Sequence, residues 1–115
     1  MDAMAGKPNL SLMPLELTRQ LTSLGQRIRS ARQARRLRLG DVAQKTGLSR
    51  KTVEAVERGE PSTSLGAYIA VLGCMSLAQE LDLIADPGLD REGLALRFSV
   101  AEKRVRLTQK VDNDF

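Results

Sequence analysis

Four hydrogen-bond donors stand together at the head of a short apolar-periodic stretch: Ser49, Arg50, Lys51 and Thr52. Ser49 has the character of a helix N-cap, which puts the other three in the first turn. There the backbone amides and the helix dipole already favour an anion. The chemistry these residue types offer at that spacing is recognition of a polyanion, with long donors able to reach beyond its backbone. Bond-making chemistry has far less to build on. The chain has no histidine and a single cysteine, Cys74, which excludes a His-containing zinc site and an internal disulfide. Cys74 lies in an apolar run where a buried, inert thiol is the simpler reading, and Tyr68 reads as packing. No catalytic residue, no metal site and no cofactor are expected.

The elements that must position those donors can be read from periodicity. Leu17, Leu21, Leu24, Ile28 and Ala31 recur at steps of three and four, the pattern of one helix face. Pro14 is tolerated in the first turn of such a helix, which is expected to run to about Arg35, with Gly25 a point where it could break. A second helix is expected over Leu39–Thr46 with Val42 and Ala43 inward, and a third over Arg50–Arg58 with Val53 and Val56 inward. Gly47 and Gly59 supply their exits, and Pro61 prevents the third from continuing. Ser62, Thr63 or Ser64 can cap a fourth helix through Leu65, Ile69 and Leu72. Ser76 can cap a fifth through Leu77, Leu81 and Ile84, closed by Asp86-Pro87-Gly88.

Beyond Gly88 the pattern is less decisive. Leu89–Leu96 could form another helix, and Phe98–Leu107 fits strand or helix, with a strand preferred. A lone strand has unpaired backbone groups, so it would pair with its equivalent in a second copy as a dimer clasp. The expected division is a disordered head over 1–13, a helical domain over 14–87, an extension over 88–109 that carries the dimerisation element, and a tail over 110–115.

Leu39–Gly59, LGDVAQKTGLSRKTVEAVERG, meets the demands of a helix-turn-helix at each tight place. Ala43 is small where two helices cross, Gly47 occupies a turn that needs positive φ, and Val42, Leu48, Val53 and Val56 fill the angle between helices. An ordinary αα corner in a helical bundle shares the glycine turn and the apolar plugs, but not the donor cluster. Charge also favours binding: from Leu24 to Arg58 there are ten Lys or Arg against the three acids Asp41, Glu54 and Glu57, whereas acids predominate after Gly59. The net charge of +4 is therefore concentrated in the middle of the chain. The longest apolar runs fall far short of the roughly 20 residues of a membrane span. Neither they nor Met1–Met13 read as a membrane or signal segment, and a cytoplasmic location fits the cysteine usage.

Together, LGQRIRSAR at Leu24–Arg32, the glycine turn at Gly47 and Glu57-Arg58-Gly59 make residues 24–85 resemble the Cro, lambda-repressor and XRE superfamily of DNA-binding domains. The resemblance implies an all-α, five-helix lambda-repressor-like domain, here with a short C-terminal extension. It implies that Arg32 and Glu57 form an ion pair tying the first helix to the third; the alternative for Arg32 is one more solvated base. It places Arg50, Lys51 and Ala55 toward the major groove with Glu54 near the same face. Arginine there can bond guanine O6 and N7, a contact worth roughly 1–3 kcal/mol of discrimination, while Lys51 can serve equally as a phosphate point charge. Ala55 replaces a longer polar residue common in relatives, leaving contact with a thymine methyl.

Phosphate contacts are expected from the amides near Gly40 and from Ser49, Thr52, Arg58, Ser62, Thr63 and Ser64. The Thr-Gln that opens the second helix in many relatives is Arg38-Leu39 here, which makes Arg38 the candidate to take over that contact. For Arg27, Arg29, Arg35, Arg36 and Arg38 alike, a solvated helix face or loop competes with a DNA role.

The partner implied is a double-stranded DNA operator, bound by a homodimer with half-sites about one helical turn, roughly 34 Å, apart. A repressor is preferred to an activator, since the sequence shows no evident acidic activation surface. Ser64–Asp86, SLGAYIAVLGCMSLAQELDLIAD, is similar to HipB-type antitoxins. This implies an autoregulating antitoxin of a type II toxin–antitoxin system with a cognate toxin as second partner. A stand-alone phage- or plasmid-type repressor has the same chemistry, and a helical protein-interaction module that has lost DNA binding is the reading from another class.

Overall fold

The computed structural model describes residues 9–113, and every regular element among them is helical: α1 Leu15–Ala34, α2 Leu39–Thr46, α3 Arg50–Arg58, α4 Leu65–Cys74 and α5 Arg91–Asn113, with short 3-10 turns at Leu10–Leu12 and Gln79–Leu83. The all-α expectation holds. Of the expected head and tail, residues 1–8 and 114–115 lie outside the described residues. Within them, Leu10–Leu12 form one 3-10 turn, and α5 continues through the start of the expected tail to Asn113. The chain divides into two compact units, Met1–Ala78 and Gln79–Phe115.

In the first unit, α1 begins on Pro14, whose carbonyl accepts from Leu17 and Thr18 N–H, and it passes through Gly25 without a break. Leu21, Leu24, Ile28 and Ala31 face the core as their spacing requires, but Leu17 is exposed. α2 ends on Gly47 at φ 77°, whose N–H donates to the Ala43 carbonyl. Thr46 secures this turn, its hydroxyl donating to the Val42 carbonyl at 2.8 Å and accepting from Leu48 N–H. Ser49 caps α3 by accepting from Thr52 N–H at 3.1 Å, and of the three hydroxyls before α4 it is Ser64 that caps, accepting from Ala67 N–H. The core is Ile28, Val42, Val53, Val56, Ala67, Tyr68, Val71 and Met75.

The buried face of α4 differs from the expected one. Leu65 and Ile69 are exposed, and Tyr68 and Val71 are buried in their place. α4 is apolar all round, so its own pattern selects no face. Tyr68 settles the rotation, because its hydroxyl finds a partner in the Glu60 carbonyl at 2.9 Å, as a buried phenol must. Burial, with the Glu60 carboxylate adding to it, pushes this phenol above its ordinary pKa.

The expected fifth helix after Ser76 is not an α-helix. Ser76 adopts a left-handed φ of 60° and terminates α4 instead of capping a new element. Ser76 N–H donates to the Gly73 carbonyl, and Leu77 N–H reaches back to Leu72 at 2.9 Å. Between the left-handed Ser76 and Ala85 the chain forms only the 3-10 turn Gln79–Leu83. Ser76→Gly should therefore raise stability by about 1 kcal/mol, since glycine adopts this φ without penalty. Calorimetry should show a higher melting temperature, and an unchanged or lower one would mean that Ser76 carries no such strain.

In the second unit, the strand preferred for Phe98–Leu107 is instead part of α5, and no strand occurs among the described residues. The Asp90 carboxylate caps α5, accepting from Gly93 N–H at 3.0 Å. Arg106 donates to Glu102 one turn earlier at 2.7 Å. Leucine, alanine, arginine, lysine and glutamate dominate this stretch, and all are good helix formers. A helix also satisfies its own backbone, which a solitary strand cannot do.

Candidate nucleic-acid interface

Two contacts fix α3 against α1. At one, Arg32 is held by Glu57: Nε donates to Oε2 at 2.6 Å and Nη2 to Oε1 at 3.0 Å, a bidentate pair with each residue only 9% exposed. The Arg32 Nη1 donates to the Leu37 carbonyl at 2.9 Å, so the same side chain also fastens the chain where it leaves α1. At the other, Gly25 lies against the end of α3. A methyl group on Gly25 would meet the Glu57 carbonyl oxygen at 2.5 Å and both Gly59 N and the Val56 carbonyl oxygen at 2.7 Å. A methyl on Gly59, at φ 71°, would strike the Leu21 carbonyl oxygen. Two glycines thus let two backbones touch. The sequence suggests Gly25 as a point where α1 could break; the structure instead uses it for close approach, and the sequence signal for that role is its spacing of seven residues, two helical turns, from Arg32.

With Val53, Val56 and Glu57 turned inward, α3 presents Arg50, Lys51 and Arg58 as exposed side chains, with Thr52, Glu54 and Ala55 half-buried. Arg50 and Glu54 lie within ion-pair distance, Nε to Oε1 at 3.4 Å, and Arg58 is similarly placed against Glu60. Ser49 and Thr52 share a hydroxyl hydrogen bond of 2.9 Å. One hydroxyl hydrogen serves that bond, so the other is free to donate outward.

Three open depressions surround the outer face of α3. In one, Arg50 meets Arg38, Gly40 and Asp41 at the start of α2. There Asp41 accepts from Arg38 N–H at 2.8 Å. In the second, Lys51, Thr52 and Ala55 meet Ser62, Thr63 and Ser64 at the start of α4. The third brings Glu54 and Arg58 to Arg29 and the buried pair. Arg29 was one of several undistinguished arginines, and only the crossing of α1 over α3 singles it out. The structure therefore gathers the residues marked in the sequence: Arg50, Lys51, Glu54 and Ala55 on one helix, flanked by Arg38 and Gly40 and by Ser62, Thr63 and Ser64. Arg32 and Glu57 stay underneath as support.

Residues 23–73 match the family model of a helix-turn-helix domain. The matched stretch runs from within α1 to the last turn of α4 and contains every one of these candidate residues. A comparison with curated proteins returned no match. No helix among the described residues is long and apolar enough to cross a membrane.

Proposed function

We propose that the chain is a sequence-specific, double-stranded-DNA-binding transcriptional repressor that acts as a homodimer. The observation that carries this reading is the outer face of α3, with its exposed cations, set between the N-termini of α2 and α4. An α-helix fits the major groove, and the helix N-termini and hydroxyls beside it lie where the sugar-phosphate backbones pass. Arg50 then reads a guanine edge and Lys51 a second base or a phosphate. Glu54 holds Arg50 extended along the helix, and Ala55 offers a methyl-sized surface to thymine. Phosphates are taken by Arg38, the Gly40 amide, Ser49, Thr52, Arg58 and Ser62–Ser64. Repression needs no chemistry beyond occupancy, because a dimer seated on an operator excludes competing proteins from the same DNA.

The test begins with selection of bound sequences from random duplex DNA, followed by mobility shift with the selected site. Arg50→Glu/Lys51→Glu should weaken specific binding at least tenfold, the loss expected from one base contact alone. Affinity of the wild type should fall steeply with salt, because each neutralised phosphate releases counterions. Unchanged binding in the double variant would overturn α3 as the reading helix, a flat salt response would count against a DNA role, and failure to select any bound sequence would favour an interaction module without DNA binding. Within the repressor class we assign the chain to the autoregulating antitoxins, on the likeness of Ser64–Asp86 to HipB-type proteins. Purification of a stable complex with the product of an adjacent kinase-like reading frame would support this. Failure to bind that product would leave the stand-alone repressor.

A further inference from the structure

α5 carries two apolar lines, not one. Leu94, Phe98, Ala101 and Val105 follow one another at steps of four, three and four, the spacing of a two-helix seam. On the other side, Leu96, Val100 and Leu107 would form a similar line, but Lys103 occupies its remaining position. The first line is apolar at each position from Leu94 to Val105 and exposed: Leu94, Phe98 and Val105 are 52%, 73% and 55% exposed. We propose that this line is the seam along which two copies of the chain pair as parallel helices.

A groove and a charge pattern identify the occupant. The groove on this face is lined by Arg91, Leu94, Ala95, Phe98, Ser99 and Glu102. The first four are spaced by three, one and three residues, the arrangement of the four-residue hole into which Leu94 of a second copy inserts when parallel helices interlock. Arg97 flanks the seam on one side and Glu102 on the other. In a parallel pair each residue at the position of Arg97 faces the one five positions further along its neighbour, so Arg97 meets Glu102 of the second copy; there it joins Arg106 of that copy, which donates to one carboxylate oxygen, Oε1, at 2.7 Å, and the contact is repeated by symmetry. An antiparallel pair would set same-side residues against each other and bring Arg97 and Arg104 of both copies together. Within α5 the apolar line Leu94–Val105 spans about 17 Å, roughly one and a half seven-residue repeats, with Arg91 and Thr108 at the seam positions that flank it.

The seam supplies the twofold pairing of the proposed function and rests on that reading only for its use. Association is measured without DNA, so either idea can fail alone. In sedimentation velocity on the full chain over a micromolar dilution series, a dimer is expected. Phe98→Asp should weaken it at least about 100-fold, because a charge replaces an apolar side chain in the seam. Arg97→Glu should weaken it roughly tenfold, and in an Arg106→Gln background, which removes the second partner of Glu102, Arg97→Glu/Glu102→Arg should restore it to within about threefold. Ala101→Cys in a Cys74→Ser background should form an intermolecular disulfide on oxidation, since parallel pairing sets Ala101 against itself. A chain that stays monomeric, a dimer indifferent to Phe98→Asp, a dimer tightened by Arg97→Glu, or absence of the Ala101→Cys disulfide would each overturn the proposal.

Discussion

Glu57→Ala is expected to destabilise the first unit by about 3–5 kcal/mol, the cost of leaving a buried charge without its partner. Arg32 stays nine-tenths buried with only the Leu37 carbonyl to accept from it. The chain cannot escape the cost by neutralising the group, because a guanidinium does not lose its proton in a protein. Against a total stability of about 5–15 kcal/mol, such a loss makes the fold marginal, and urea denaturation should show it as a large drop in midpoint. Arg32→Met/Glu57→Leu should cost far less than the single change, since removing both charges also removes the desolvation penalty. Arg32→Lys should behave more like the single change, because an ammonium cannot bond both carboxylate oxygens and Leu37 with the planar fork that matches them. A Glu57→Ala loss below about 1 kcal/mol would mean that water reaches Arg32 and that the pair behaves as a surface contact.

The parts of the fold that were legible in the sequence are those where local chemistry and tertiary packing agree. α2 and α3 each have one apolar edge, and their ends carry Gly47, Ser49 and Gly59, residue types that perform their task in any context. The donor cluster at the start of α3 was legible for the same reason: Val53 and Val56 fix the inner face and thereby the outer one. α4 offered no such asymmetry, and its rotation was decided by a hydrogen bond from Tyr68 to a carbonyl eight residues earlier. The reversal at Ser76 was hidden because serine is common as a helix start and rare at φ 60°. In α5, two apolar lines on opposite sides mimic the alternation of a strand, and periodicity alone could not separate the two. The role of Gly25 is not legible locally because the structure it meets, the backbone of residues 56–59, is remote in sequence.

Gly25→Ala is the second large effect, with an expected net loss of about 2–3 kcal/mol. Helix propensity alone predicts the opposite sign, since alanine is favoured over glycine in a helix interior by about 1 kcal/mol. The new methyl, however, would lie 2.5–2.7 Å from three backbone atoms of α3 and its cap. Those atoms belong to a helix end clamped two turns along by Arg32 and Glu57, so relief requires α1 and α3 to separate, with the cost of a strongly overpacked core. Gly47→Ala is the informative comparison. Gly47 also has a positive φ, but a methyl there meets nothing within 4 Å, so its loss should stay near the 1–2 kcal/mol of left-handed strain. The two variants separate close approach from backbone freedom. Gly25→Ala should also lower specific DNA affinity in its folded fraction, because displacing α3 from α1 moves Arg50 and Lys51 relative to the phosphate-binding ends of α2 and α4. A Gly25→Ala protein as stable as wild type would show that α1 and α3 can part without cost, and would remove the rigid support that the proposed readout requires.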